Sequence, residues 1–128
     1  MGVQREPLHV LIVEDDQMTA LVLSEYLRAY GYRVTLARNG LDGITQFMSD
    51  RPALALVDVL LPRKDGFAVC FEMKLNASAV PVLLMSAVYR NQEAAETYAR
   101  ALFADGFMVK PFDLDVLVSR VHELIGDP

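Results

Sequence analysis

The segment LHVLIVEDD, residues 8–16, decides the fold class of this 128-residue chain. Its first part, Leu8–Val13, has the length of a β-strand, and Val10–Val13 is apolar without interruption. A strand that does not alternate with polar residues has both faces covered, as in a parallel sheet packed between helices. The acidic residues Glu14–Asp16 mark the point where that strand ends.

Outward from this segment, short apolar runs alternate with helical patterns. The predicted strands are Leu8–Val13, Arg33–Ala37, Ala53–Val57, Val80–Met85 and Phe107–Val109. The predicted helices are Gln17–Tyr30, one capped by Asn39, Gly66–Leu75, one within Arg90–Ala104 and one capped by Asp113. We expect Gly31 to end the first helix and Leu41, Ile44 and Met48 to form the buried stripe of the second. This βα repeat predicts an α/β fold with one doubly wound parallel sheet and helices on both faces.

Composition limits the classes of function. Hydrophobic residues make up 53% and charged residues 23% of the chain, which indicates one folded domain. A net charge of −5 argues against direct nucleic-acid binding, which needs a basic face. Cys70 is the sole cysteine, so an intrachain disulfide is excluded and a reducing compartment is favoured. No apolar run has the roughly 18 residues of a membrane span, and no signal peptide is apparent, so we expect a cytoplasmic protein without membrane contact.

Polar side chains follow the predicted strands. In a parallel sheet the carboxyl ends of the strands lie at one edge, where function collects. The polar residues expected at that edge are Glu14, Asp15, Asp16, Asp58, Ser86 and Lys110. Each has an ordinary structural explanation on its own, such as a helix N-cap for Asp16. Together, however, carboxylates packed at one edge repel each other unless a cation lies among them.

The residue types at this edge indicate the chemistry. Carboxylates without neighbouring cysteine or histidine ligands suit Mg²⁺, with Mn²⁺ as a substitute. Carboxylates, a lysine and a hydroxyl are also the groups that phosphoryl transfer uses. The chain has no glycine-rich nucleotide-binding motif, so the phosphoryl group must come from another molecule. Asp58 is the candidate acceptor, as an aspartyl-phosphate.

Four motifs resemble one family, the receiver domain of two-component response regulators. They are VLIVEDD (10–16), LVDVLLPRKDG (56–66), LLMSA (83–87) and VKPF (109–112). The resemblance extends from Leu8 to Ile125 and includes chemotaxis-regulator-like proteins. It implies one receiver domain over residues 1–128 with a core of about 8–125. It also implies a flavodoxin-like sheet with strand order 2-1-3-4-5.

The resemblance assigns the metal site and the acceptor residue by residue. Asp58 matches the phosphoacceptor. Asp15 matches the direct Mg²⁺ ligand, and Glu14 matches the acid that acts mostly through water. Asp58 and the backbone carbonyl of Leu60 match the remaining protein ligands.

The same resemblance assigns the phosphate contacts and the switch. Ser86 and Lys110 match the hydroxyl and the cation that contact the phosphate, and Phe107 matches the aromatic switch residue that moves with Ser86. The Lys110–Pro111 peptide bond is expected to be cis, as in the family. The side chains of Leu60 and Val88 match positions that flank the hydrolytic water, which predicts slow loss of the phosphoryl group.

The resulting expectation is a signalling phosphoacceptor and not an enzyme with a separate substrate. A histidine kinase or phosphotransfer protein would donate the phosphoryl group. The face made by the fourth helix, fifth strand and fifth helix would then change its binding to a downstream protein or output domain. We expect a monomer or weak homodimer. The alternatives are a pseudo-receiver that binds proteins without phosphorylation and a phosphatase of the aspartate and Mg²⁺ class, which would require a D-x-D motif in place of Glu14-Asp15-Asp16.

Overall fold

The computed structural model describes residues 6–87 and 91–127, without the side chains of Tyr98 and Ala101. Its strands are β1 (His9–Val13), β2 (Arg33–Ala37), β3 (Leu54–Asp58), β4 (Val82–Ser86) and β5 (Gly106–Val109). Its helices are α1 (Gln17–Ala29), α2 (Gly40–Ser49), α3 (Gly66–Asn76), α4 (Gln92–Ala101) and α5 (Leu114–Ile125). None of the helices in the described ranges is long and apolar enough to cross a membrane.

The strands form one parallel sheet in the order β2-β1-β3-β4-β5. Strand β1 is an interior strand that pairs with both β2 and β3, so that Val13 lies beside Ala37 on one side and Val57 on the other. The α/β class, the parallel sheet and the strand order are therefore confirmed. The limits of β2 are as predicted, and those of the other strands differ by one or two residues, most at β4.

The sheet separates two apolar layers. Leu11 and Val13 of β1 face the layer that contains Phe47 of α2, whereas Val10 and Ile12 face the layer that contains Leu27 of α1. All five residues of β1 are buried. This burial on both faces explains why the strand is apolar without alternation.

The predicted apolar stripe of α2 is wrong at Leu41 and Met48, whereas Ile44 packs against the core. Leu41 and Met48 are 43% and 50% exposed, while Gly43 and Phe47 are buried and Ile44 is half-buried. The helix lies so close to β1 that a Cβ on Gly43 would be 2.9 Å from Val13 Cγ2. Hydrophobic patterns give no weight to glycine, so they did not show that Gly43 lets the face that carries Phe47 approach the sheet.

Helix α1 ends as expected at Gly31, which has a φ of 100°. The N–H of Tyr32 donates to the carbonyl of Leu27, the closing hydrogen bond of a Schellman motif. Helix α4 ends in the same way, with Ala104 donating to Ala99. There, however, Phe103 holds the glycine position with a φ of 65° and a side chain that is 66% exposed.

This difference leads to a stability prediction. The left-handed conformation costs a residue with a Cβ about 1–2 kcal/mol, and an exposed phenyl ring recovers little of it. We expect Phe103→Gly to raise the free energy of unfolding by about 0.5–1 kcal/mol, measured by urea denaturation. Phe103→Val, which puts a β-branched residue there, should lower it. A less stable glycine variant would contradict this account.

One side chain covers the open edge of β5. The amide nitrogen of Gln92, at the start of α4, donates to the carbonyl of Phe107, and its oxygen accepts from the N–H of Val109 at 3.1 Å. A neighbouring parallel strand would make the same two bonds to these groups. Gln92 therefore ties the first turn of α4 to the backbone of β5.

Candidate functional site

The carboxyl ends of β1 and β3 bring three acidic side chains together. Glu14 and Asp15 follow β1, and Asp58 is the last residue of β3. Because Val13 pairs with Val57, the residues that follow them lie side by side. One carboxylate oxygen from each of Glu14, Asp15 and Asp58 lies within 4.8 Å of the other two. Glu14 and Asp58 are buried, while Asp15 is exposed.

Lys110 joins this acidic cluster from the end of β5. Its Nζ donates to Glu14 Oε1 at 2.5 Å and to Asp58 Oδ2 at 2.7 Å. The side chains of Glu14, Asp58 and Lys110 are 1%, 9% and 19% exposed. Water therefore screens these charges weakly, and one lysine neutralises only part of the acidic charge.

Burial and neighbouring charges shift the pKa values of Glu14 and Lys110. The pKa of Glu14 is raised from its ordinary value of 4.5 to about 7, because burial and the neighbouring Asp58 carboxylate together outweigh the lowering effect of Lys110. Burial by itself would lower the pKa of Lys110, but hydrogen bonds to Asp58 and Glu14 outweigh it and raise that pKa. Carboxylate oxygens with excess negative charge, one of them open to water, fit a hydrated divalent cation such as Mg²⁺.

The raised pKa of Glu14 predicts a pH dependence of stability. Unfolded Glu14 ionises near pH 4.5 and folded Glu14 near pH 7. Between these values the folded state holds a proton that the unfolded state has lost. The free energy of unfolding contributed by Glu14 therefore falls as the pH rises from about 4.5 to about 7 and is constant above.

Denaturation of the metal-free protein across this pH range, with Glu14→Gln as the comparison, measures the effect. The lowered pKa of His9 acts in the opposite direction below its ordinary value of 6.5, and it is common to both proteins. The difference between them should therefore change by the Glu14 contribution alone. A constant difference from pH 4.5 to pH 7 would refute it.

Local structure fixes the position of Asp58. The N–H of Leu60 donates to Asp58 Oδ1 at 2.9 Å, and the N–H of Gly66 donates to the Val59 carbonyl at 2.8 Å. A Cβ on Gly66 would lie 2.0 Å from the Asp58 carbonyl oxygen, so only glycine allows this approach. Asp65 caps α3 by accepting from the N–H of Ala68. These hydrogen bonds and the close approach of Gly66 hold the turn after Asp58 in one conformation.

Asp16 has the structural role that the sequence favoured. Its side chain accepts from the N–H of Thr19 at 2.9 Å and caps α1. Its own N–H donates to Glu14 Oε2 at 3.2 Å. Within the described residues, Asp16 is not a member of the acidic cluster.

The other predicted residues have these positions. Ser86 ends β4 and is fully buried, and Phe107 of β5 is also fully buried. Leu60, two residues after Asp58, is 59% exposed. The Lys110–Pro111 peptide bond is cis. Val88 lies outside the described residues.

A largely apolar cleft of about 570 Å³ opens beside Lys110. Its lining residues are Met18, Thr19, Val22, Leu23, Ala87, Lys110, Pro111, Phe112 and Leu114. Met18 and Val22 on α1 are 66% and 43% exposed. The cleft therefore offers an apolar surface next to the acidic cluster.

Sequence reasoning missed Arg38 at this site. Its Nη2 donates to the backbone carbonyl of Asp15 at 2.8 Å. Arg38 directly follows β2, and the sheet order places β2 beside β1. That order was available from the resemblance, but no local pattern signals that a long exposed side chain turns towards the neighbouring loop.

The fold agrees with comparisons with known proteins. The family model of the response regulator receiver domain matches residues 10–122, and the chain belongs to this family. The transcriptional regulatory protein CseB of Streptomyces coelicolor is 38% identical over 117 residues, which cover 91% of this chain and 49% of CseB. The transcriptional regulatory protein RprY of Bacteroides fragilis is 30% identical over 120 residues, 94% of this chain and 50% of RprY. The chain spans about half the length of these relatives.

Solved structures give the same family. The signal receiver domain of a signal transduction histidine kinase from Syntrophus aciditrophicus superposes with a TM-score of 0.81 at 32% identity and covers 91% of this chain and 89% of that chain. A CheY-like receiver domain protein from Methanospirillum hungatei gives a TM-score of 0.85 at 22% identity over 93% of this chain and 94% of that chain, which shows the fold alone. The chain is thus a receiver domain of the kind found in two-component response regulators.

Proposed function

We propose that this receiver accepts a phosphoryl group on Asp58 with the help of Mg²⁺. One observation carries the proposal. Lys110 contacts the buried Glu14 and Asp58 together, beside the exposed Asp15, and so leaves an acidic cluster that a single lysine does not neutralise. A divalent cation matches this arrangement, and once bound it would, together with Lys110, offset the negative charge of an incoming phosphoryl group.

In the proposed reaction a carboxylate oxygen of Asp58 attacks the phosphorus of the donor. The new O–P bond forms as the N–P bond of a phosphohistidine breaks, and the leaving imidazole nitrogen takes up a proton. Lys110 and the Ser86 hydroxyl hold oxygens of the transferred group. Bound Mg²⁺ would supply the positive charge that the three phosphoryl oxygens require.

Asp15, Asp58 and the Leu60 carbonyl are the proposed protein ligands of Mg²⁺, with Glu14 acting mostly through water and Mn²⁺ as a substitute ion.

We expect Asp15→Asn to weaken Mg²⁺ binding at least about tenfold, or about 1.4 kcal/mol, because the cation loses an anionic ligand. Isothermal titration of the metal-free protein measures this. Asp16→Asn is the matched control, because Asp16 is the adjacent acid outside the cluster and asparagine keeps the helix cap. Unchanged affinity in Asp15→Asn would refute the ligand assignment.

The proposed output is a change in the face made by α4, β5 and α5. The phosphoryl group draws the Ser86 hydroxyl towards it, and Phe107 takes the space this leaves. Phosphorylation thereby favours one of two packings, and a downstream protein or output domain binds that packing better. The apolar side chains of Leu60 and Val88 would slow hydrolysis by limiting the approach of water.

The proposed donor is a histidine kinase or phosphotransfer protein. The apolar cleft between α1 and the Lys110–Phe112 segment supports this, because it would bury part of the donor beside the acceptor carboxylate.

CseB and RprY are transcriptional regulatory proteins, and by analogy the output of this receiver concerns transcription. The acidic domain itself does not bind nucleic acid in this proposal. We also propose that residues 1–128 form one receiver domain in the cytoplasm, whose reducing conditions suit the buried thiol of Cys70.

Intact mass spectrometry after incubation with acetyl phosphate tests the proposal. With Mg²⁺ the protein should gain one phosphoryl group, and with EDTA it should gain none. Treatment with hydroxylamine, which cleaves acyl phosphates, should remove the group. An unmodified protein under all conditions would instead indicate a pseudo-receiver that binds partners without phosphorylation.

A further inference from the structure

The loop between β2 and α2 contacts both loops that carry the acidic cluster. Arg38 Nη2 donates to the backbone carbonyl of Asp15 at 2.8 Å, in the loop after β1. Two residues later, the N–H of Gly40 donates to the Pro62 carbonyl at 3.3 Å, in the loop after β3. We call residues Arg38–Gly40 the bridging loop, because they join the two loops without belonging to the cluster.

The bridging loop is itself held in place. Asn39 caps α2, since its side chain accepts from the N–H of Asp42 at 2.9 Å. A Cβ on Gly40 would lie 2.1 Å from the carbonyl oxygen of Lys64, so only glycine allows the loop to approach the segment after Pro62 this closely. Arg38 therefore extends from a backbone with little freedom to move.

Of the three acidic residues, Asp15 has the weakest support from burial. Glu14 and Asp58 are buried and share Lys110, whereas Asp15 is exposed. The flanking backbone is fixed on both sides, by the bond from Glu14 N–H to the Ala37 carbonyl and by the N-cap of Asp16. The bond from Arg38 fixes the Asp15 carbonyl between them.

We propose that Arg38 is a positioning residue, which holds Asp15 in the orientation that binds the divalent cation. This inference rests on the proposed function, because it concerns how well the same site takes up Mg²⁺. Arg38 contributes no ligand and acts through the backbone of Asp15.

Loss of the Arg38 charge and loss of its hydrogen bond should change the affinity for Mg²⁺ in opposite directions, and this makes the proposal testable. A guanidinium near an acidic cluster repels a divalent cation, so loss of its charge alone would tighten Mg²⁺ binding. Because Arg38 is exposed, water and salt screen this repulsion. Loss of the hydrogen bond leaves Asp15 more orientations and so weakens Mg²⁺ binding. The direction of the change in affinity therefore shows which effect dominates.

The test is Mg²⁺ titration of the metal-free protein by calorimetry, with Arg38→Met as the main variant. We expect the dissociation constant to increase about three- to tenfold, at or below the lower end of outer-shell effects because Asp15 and Arg38 are exposed. Arg38→Gln, which keeps a donor without the charge, should recover part of the affinity. Arg28→Met is the matched control, because the exposed Arg28 makes an equivalent bond to the Val34 carbonyl at 3.1 Å and is not part of the bridging loop.

A second measurement needs no metal. The N–H of Asp16 belongs to the same peptide group as the Asp15 carbonyl, so its ¹⁵N chemical shift should change in Arg38→Met and not in Arg28→Met. Unchanged or tighter Mg²⁺ binding in Arg38→Met, while the wild type binds Mg²⁺, would overturn the inference and leave the proposed function intact. A wild type that binds no Mg²⁺ would overturn both.

Discussion

Asp58→Asn should abolish the gain of a phosphoryl group from acetyl phosphate. The amide has no anionic oxygen, so it is a far weaker nucleophile than the carboxylate it replaces. Asparagine keeps a side-chain oxygen that can accept the hydrogen bond from the Leu60 N–H, so the turn after β3 should survive. Intact mass measured over a time course should show no modified species in the variant when the wild type is fully modified.

The matched control is Asp65→Asn. Asp65 lies in the same loop, is exposed, and caps α3, a role that asparagine also performs. This control should gain the phosphoryl group like the wild type. Full modification of Asp58→Asn would show that the acceptor is another residue.

Lys110→Met should cause the largest loss of stability. Methionine preserves much of the side-chain volume but leaves Glu14 and Asp58 facing each other without the cation that both contact. Removing one partner of a buried ionic group costs about 3–5 kcal/mol. We expect a loss of this order in the free energy of unfolding of the metal-free protein at pH 8, measured by urea denaturation.

The loss should shrink as the pH falls. Without Lys110 the pKa of Glu14 rises above its already raised value of about 7, because the group that opposed the effect of burial is gone. A proton can then take the place of the missing cation, and the variant approaches the wild type in acid. Lys74→Met is the control: Lys74 is 11% exposed and pairs with Asp105, whose side chain is 33% exposed. Lys74→Met should lose less free energy of unfolding, and this loss should be the same at pH 6 and pH 8. Equal stability of Lys110→Met and wild type at pH 8 would refute the prediction.

Burial on two faces made the strands predictable. β1 and β3 are buried at every position, so their composition alone marks them. The N-cap at Asp16 and the end of α1 at Gly31 were also predictable, because each depends on a residue with a specific local preference. The strand order came from the resemblance, and from that order the meeting of Asp15 with Asp58 followed.

Contacts that depend on distant side chains were not predictable. Lys110 and Glu14 were expected at the same edge of the sheet, but they are 96 residues apart, and the hydrogen bond itself depends on the packing between them. Phe103 takes a glycine position at the end of α4 although its residue type argues against it. The buried face of α2 contains Gly40 and Gly43, which hydrophobic patterns do not register. The bond from Arg38 to Asp15 depends on the rotamer of an exposed side chain.

The bond pair between Gln92 and β5 has a consequence for self-association. An edge strand with free N–H and carbonyl groups is a template on which another chain can add a strand. In this structure the side-chain amide of Gln92 occupies the Phe107 carbonyl and the Val109 N–H, and so caps this part of the edge. Any rearrangement that lifts the first turn of α4 uncaps these groups. The position of one glutamine thus links the conformation of α4 to the risk of intermolecular β-pairing.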